Sequence, residues 1–317
     1  MANLLKLMQN EWMKLWSKKA SWMMVFLLVV ILFASAAITK YVNSTANEGI
    51  EESWQNVVAA QQEANQAMLM DPNMNEAQKD YYTGQIAIAE YRLENDVQPF
   101  EFTSMQQSVL DAHEMLSLVT LFTVVIAAGI TASEFSQGTI KMLLTRPVRR
   151  WKVLTSKYLT TMVFAGLLSV ITLLAAALAG LVFFGIGEGT FLVWTGSEVM
   201  EGSYWREAIK LSVLSFASVW IIGTFAFMLG TVFRSSSLAI GLSIFLMFTG
   251  IQAVFLLSNY EIIKYYLFTH TDLTQFYSGF MPVPDITMTM SLIVLFVYFL
   301  LFLGISYWTF SKRDITA

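Results

Sequence analysis

Glu134-Phe135-Ser136-Gln137-Gly138-Thr139-Ile140-Lys141-Met142-Leu143-Leu144-Thr145-Arg146-Pro147-Val148-Arg149-Arg150-Trp151-Lys152-Val153-Leu154-Thr155-Ser156-Lys157 is short, basic and patterned. It separates two runs without Asp, Glu, Lys or Arg, residues 115–133 and 158–187. Each is close to or beyond the roughly 20 apolar residues that a helix needs to cross hydrocarbon. Between them Ile140, Leu143, Leu144, Val148 and Trp151 recur at helical spacing, and Lys141 lies off that stripe. Pro147 is excluded from a helix interior and suits a first turn. The spacing therefore predicts a short amphipathic helix over 138–145, a break at Pro147, and a second helix leading into the next apolar run.

Working outward, the same reading gives six spans: 20–40, 115–133, 158–187, 211–233, 238–258 and 286–311. The third exceeds what a bilayer needs and is expected to tilt or extend into the interface. The positive-inside rule orients the set. With the N-terminus inside, segments 1–19, 134–157, 234–237 and 312–317 hold 13 of the 19 Lys and Arg but only Glu11, Glu134 and Asp314 of the 23 acids. Both termini are thus expected in the cytoplasm. Lys18-Lys19, an apolar run and Ala34-Ser35-Ala36 resemble a signal peptide, but the run is longer than usual and Glu11 interrupts the basic segment. The first run is therefore taken as a span.

Composition agrees with a membrane chain. Of 317 residues 56% are hydrophobic and 13% charged, against about 25% charged in soluble domains. No Cys is present, which removes disulfides and thiolate chemistry, and two His, His113 and His270, make a His-rich metal site unexpected. No basic tract is long enough to hold nucleic acid. Apart from Lys40 at the very end of the first, the six runs carry no Asp, Glu, Lys, Arg or His, which counts against an ion-driven carrier, because such carriers bind their coupling ion at membrane depth. His113-Glu114-Met115-Leu116-Ser117 begins like a zinc-protease motif but lacks the second His. No phosphate-binding G-x-x-x-x-G-K-[ST] loop occurs, so ATP is not bound here by that route.

Three further segments have shape. Residues 3–17 place Leu5, Met8, Trp12, Leu15 and Trp16 on one stripe, as in an amphipathic helix lying at the inner leaflet. Segment 41–114 carries 13 acids against Lys79 and Arg92. Trp54, Val57 and Met68, then Tyr82, Ile86, Ala89 and Leu93, follow a helical period around the breaker Asp71-Pro72-Asn73, which reads as an extracellular helical hairpin. Segment 188–210 is a Gly-rich outer loop. Segment 259–285 is too apolar for a free loop and reads as re-entrant. The fold class is all-α: a polytopic membrane protein of six transmembrane helices.

The 134–157 stretch resembles the coupling region of ABC type-2 exporter permeases: an acid, Gly-Thr a few residues later, Leu-Leu, Pro, basic residues, and a Lys entering the next span. The matching positions are Glu134, Gly138, Thr139, Leu143, Leu144, Pro147, Arg149 or Arg150, and Lys157. Glu11-x-x-Lys14 and Phe310-x-x-Arg313-Asp314 are similar to that family's ends, and the layout covers the whole chain. The insert after the first span is longer than in the shortest members. The resemblance implies a permease in a bacterial cell membrane, not itself an enzyme. It implies no cofactor in this chain, with ATP and Mg on a separate ATP-binding subunit at the cytoplasmic face. A second permease copy, identical or paralogous, would complete the pathway, with membrane lipid around it. Glu134, Arg146, Arg149 and Arg150 would orient the partner, and Ile140, Leu143 and Leu144 would supply apolar anchors. The competing class is a membrane receptor or scaffold that uses the 41–114 hairpin.

Overall fold

The computed structural model describes residues 4–46, 53–72, 74–101, 103–138, 148–233, 235–279 and 281–312. The expected helix at 138–145, apart from Gly138, lies outside the described residues. So do Thr139, Ile140, Leu143, Leu144, Arg146 and Pro147.

Helix α1 (Leu4–Ser17) meets α2 (Lys19–Ala46) at a corner on Lys18. A helix end leaves carbonyls without partners. Here the Ser21 hydroxyl donates to the Leu15 carbonyl at 2.7 Å and the Trp22 indole to that of Trp16 at 3.0 Å, which fixes the turn. The apolar stripe of α1 faces protein: Leu15 is buried, and Trp12 and Trp16 meet Phe164 edge-on at 6.5 and 5.8 Å. Leu5 stays exposed.

The polar insert contains α3 (Trp54–Leu69) and α4 (Glu76–Asn95), packed on each other. Asn75 and Gln78 form a reciprocal capping box at the start of α4, and Asp96 closes its end in the left-handed conformation. Helix α5 (Met105–Asp111) and a 3₁₀ turn (Ala112–Met115) run into α6 (Leu116–Ser136). Helix α7 (Arg150–Phe183) has 34 residues. At 1.5 Å per residue it is about 51 Å long, well past a bilayer core of ~30 Å.

Strands β1 (Leu192–Trp194) and β2 (Val199–Glu201) pair antiparallel with Val193 opposite Met200, a small hairpin in the 188–210 loop. Trp194 lies on Gly84 of α4, where any side chain would strike the indole. Helices α8 (Tyr204–Val232) and α9 (Ser236–Leu256) follow. Then come 3₁₀ turns at Glu261–Tyr265 and Leu267–Thr269, the one-turn α10 (Gln275–Ser278) and α11 (Met288–Lys312). The 259–285 segment is no free loop. Ile263, Leu267, Phe268, His270 and Leu273 are buried, and Phe268 fills the space that Gly250 leaves on α9.

Among the described residues, six helical stretches are long and apolar enough to cross a membrane: Lys19–Thr45, Met105–Ser136, Arg150–Phe183, Tyr204–Val232, Ser236–Leu256 and Met288–Lys312. The α6–α8 pair makes the most extensive contact. It is close because Gly230 lies on the Ala128 carbonyl and Gly223 on Thr123. The small residues of α7 serve packing within the chain, since Gly180 receives Ser108 and Met105 of α5.

These helices run past the apolar runs that reveal them. The ladder at 115–133 begins at Met105 and includes Asp111, His113 and Glu114. That at 158–187 begins at Arg150 and includes Lys157, and that at 211–233 begins at Tyr204 and includes Glu207 and Lys210. Hydropathy stops at the first charge, but a helix does not when that charge is solvated or paired.

Candidate functional site

One end of the bundle gathers residues from both chain ends and from the two flanks of the basic stretch. Lys157 lies two turns into α7, and its side chain is 0% exposed. Its ammonium donates to Glu11 Oε2 of α1 at 2.8 Å and to Glu134 Oε1 of α6 at 2.7 Å. Lys14, one turn after Glu11, donates to Glu11 Oε1 at 2.8 Å and approaches Glu134 Oε1 at 3.4 Å. Two carboxylates and two ammonium groups thus form a neutral cluster joining three helices. Removing two charges from water costs several kcal/mol per ion, so this arrangement holds only while the partners are complete.

The titration of the outer members follows the geometry. Burial pushes the Glu11 carboxyl up, but Lys157 and Lys14 outweigh it, and the group ends below its ordinary value. Burial pushes Lys14 down, Glu11 and Glu134 outweigh it, and Lys14 ends above its ordinary value. Both stay charged through the neutral range. On the same helices, α1 and α7, the rings of Trp12, Trp16 and Phe164 pack edge-on against one another.

The C-terminal helix joins the same end. Arg150 at the start of α7 donates to the Ser311 carbonyl at 3.1 Å, a cation at the negative end of α11. Thr155 Oγ1 and Tyr307 Oη are 2.6 Å apart, and the rings of Phe135 and Phe310 meet edge-on at 6.4 Å. Gly138 follows α6 at φ +71, a conformation that favours Gly and ends a helix. Arg149 takes the extended N-cap conformation before α7 without a side-chain cap bond, and it is exposed.

Of the residues singled out in the basic stretch, Glu134 and Lys157 are brought together, Gly138 stops α6, and Arg149 and Arg150 open α7. What spacing could not reveal is that Glu11 and Lys14 complete the pair, because Glu11 and Lys157 are 146 positions apart. The only sequence signal was two acids, Glu11 and Glu134, standing in otherwise basic segments.

The sequence profile of a family described as "Protein of unknown function (DUF2705)" matches residues 84–316. The chain belongs to DUF2705. The matched part holds Glu134 and Lys157, whereas Glu11 and Lys14 precede it. Among relatives of this DUF2705 chain, "Uncharacterized protein YhcI" of Bacillus subtilis (strain 168) is 35% identical and covers 98% of this chain and 99% of its own length. "Uncharacterized membrane protein YdbK" of the same organism is 33% identical over 62% of this chain and 78% of its own length. With six apolar crossing helices and a relative so named, this DUF2705 protein is a multi-pass membrane protein.

Proposed function

We propose that this chain is the membrane-spanning permease subunit of an ATP-driven ABC exporter, gripped at its charged end by a separate ATP-binding subunit that carries ATP and Mg. In this reading the charged end is cytoplasmic, both termini are inside, the 138–145 segment is the coupling helix, and the α3–α4 hairpin stands outside. A second permease copy closes the pathway.

The buried Lys157–Glu11–Glu134 cluster carries the reading. It clamps both flanks of the basic stretch and the N-terminal helix into one joint. A pull on that stretch therefore moves α6 and α7 together, and α6 passes the displacement to α8 through glycine-close packing. Such a joint suits a lever that switches the bundle between two arrangements.

Purification from the protein's own membrane tests this. An ATP-binding subunit is expected to come with it, and a chain isolated without any nucleotide-hydrolysing companion contradicts it. Reversing Arg149 and Arg150 to Glu should lower transport-coupled ATP hydrolysis on the order of tenfold while the chain stays in the membrane, the effect of losing a contact energy of one hot spot. Unchanged coupling in that variant speaks against docking there.

A further inference from the structure

Beside the ionic cluster a groove of about 610 Å³ opens between α1, α2, α6 and α9. Its two ends differ in chemistry. Glu11, Lys14, Lys18, Ser133 and Glu134 line the charged end, and Met24, Ile126, Gly129 and Ile240 line the other. From Val125 to Gln137 the groove follows α6 for about 18 Å at 1.5 Å per residue, down into the membrane-crossing part of the helix. A groove of that depth in a bilayer does not stay empty, and water has no partners along its apolar half.

We propose that this groove binds an anionic phospholipid, with the headgroup phosphate at Lys14 and Lys18 and an acyl chain along α6 past Gly129. Charge balance selects the anion. Glu11, Glu134, Lys14 and Lys18 line the groove, and Lys157, fully buried and outside the lining, pairs with both carboxylates, so two carboxylates stand against three ammonium groups. Lys157 and Lys14 are committed to the carboxylates, and Lys18 forms no ion pair among the described residues. Lys14 is 46% exposed and has donors to spare on the groove side. The apolar half excludes a free inorganic phosphate as the whole ligand, and Gly129 leaves the channel open. A Cβ there would meet Ile240 Cδ1 at 3.6 Å, an ordinary contact, so a side chain can start at this position without a clash at its Cβ. The bound headgroup would abut the clamp on the basic stretch and link lipid charge to its rigidity.

The proposal rests on the membrane reading alone, and its test needs neither ATP nor a partner. The full chain is reconstituted in vesicles containing a phosphatidylglycerol analogue with a photoactivatable group in its acyl chain. Labelling is expected on α6 between residues 125 and 133. Lys18→Gln, an exposed change, should lower it about fivefold, the effect of one Lys on an anionic lipid. Gly129→Leu should remove the α6 labelling while leaving overall bilayer labelling intact. Equal labelling by a phosphatidylcholine analogue, or labelling unchanged in both variants, overturns the proposal. So does a groove occupied by a second copy, seen as absent α6 labelling in the wild type and a change of oligomeric state in Gly129→Leu.

Discussion

The two ends of the bundle are tied in different ways. At one end the joint is made of opposite charges on side chains, Glu11, Lys14, Glu134 and Lys157, drawn from three helices. At the other, the insert includes a buried cation whose hydrogen bonds, among the described residues, go to backbone carbonyls. Arg92 of α4 donates to the carbonyls of Val97 and Thr190 at 3.3 and 2.9 Å. Beside it, Gln106 exchanges two hydrogen bonds with the backbone of Gly187, and a chamber of about 620 Å³ lies beneath the hairpin. Side-chain ion pairs fail as a unit when one member is lost, because a buried charge is then uncompensated. Carbonyls that lose an arginine near a chamber can turn to water. The first end is built as an all-or-none joint, the second as a seat that tolerates adjustment.

The largest expected effect is therefore at Lys157. Lys157→Met should cost about 3–5 kcal/mol of stability, since the two carboxylates lose their buried cation and keep only the half-exposed Lys14. Thermal unfolding in detergent measures it. The comparison sharpens with Glu11→Leu and Glu134→Leu added to that variant, which leaves only the half-exposed Lys14: an apolar replacement of buried ion pairs is often neutral. Recovered stability with lost ATP coupling would separate the joint's mechanical role from its structural one. At the other end, Arg92→Met should cost only about 1–3 kcal/mol, the loss for carbonyls deprived of a charged donor. A loss at Arg92 equal to that at Lys157 breaks the contrast.

The smallest effects are those of pH. His270 is buried, with Nε2–H donating to the Lys264 carbonyl and Nδ1 accepting from Ser291 Oγ, each at 2.8 Å. Burial holds its titration below the ordinary value, against the pull of the Lys264 carbonyl. The unfolded chain therefore takes up a proton first. The stability due to His270 is complete above about 6.5, the unfolded value, and is lost as pH falls through the folded one. Glu11, also lowered, loses its contribution only further into acid, in and below the usual carboxylate range. Unfolding followed over pH should show two acid phases. His270→Gln should remove the upper one and leave the lower, and an unchanged upper phase would count against His270.

The spans were legible because each crossing needs a long apolar run, and nothing else in a chain looks like Ile286–Ser311. Their limits were not. Lys157, Glu207 and Lys210 sit inside helices because the partners that settle their charges come from other turns or other helices. The α3–α4 pair could be read from its period and from the breaker Asp71-Pro72-Asn73. The β1–β2 hairpin could not, because three-residue strands leave no alternation to detect. The amphipathic stripe of residues 3–17 was correct as a pattern, but periodicity does not say whether lipid or protein covers it. Phe164 and its neighbours on α7 do. The ionic cluster lay out of reach for the same reason: its four residues converge only in three dimensions.

The most direct measurement places a photocrosslinking residue at Arg149, the exposed position before α7, in the full chain in its native membrane. A nucleotide-dependent adduct with an ATP-binding subunit is expected, because the proposed function has that subunit grip the stretch between Glu134 and Lys157. Adducts with lipid alone, or labelling there by a membrane-impermeant reagent added from outside the cell, would contradict the charged end as the seat of an ATP-driven partner.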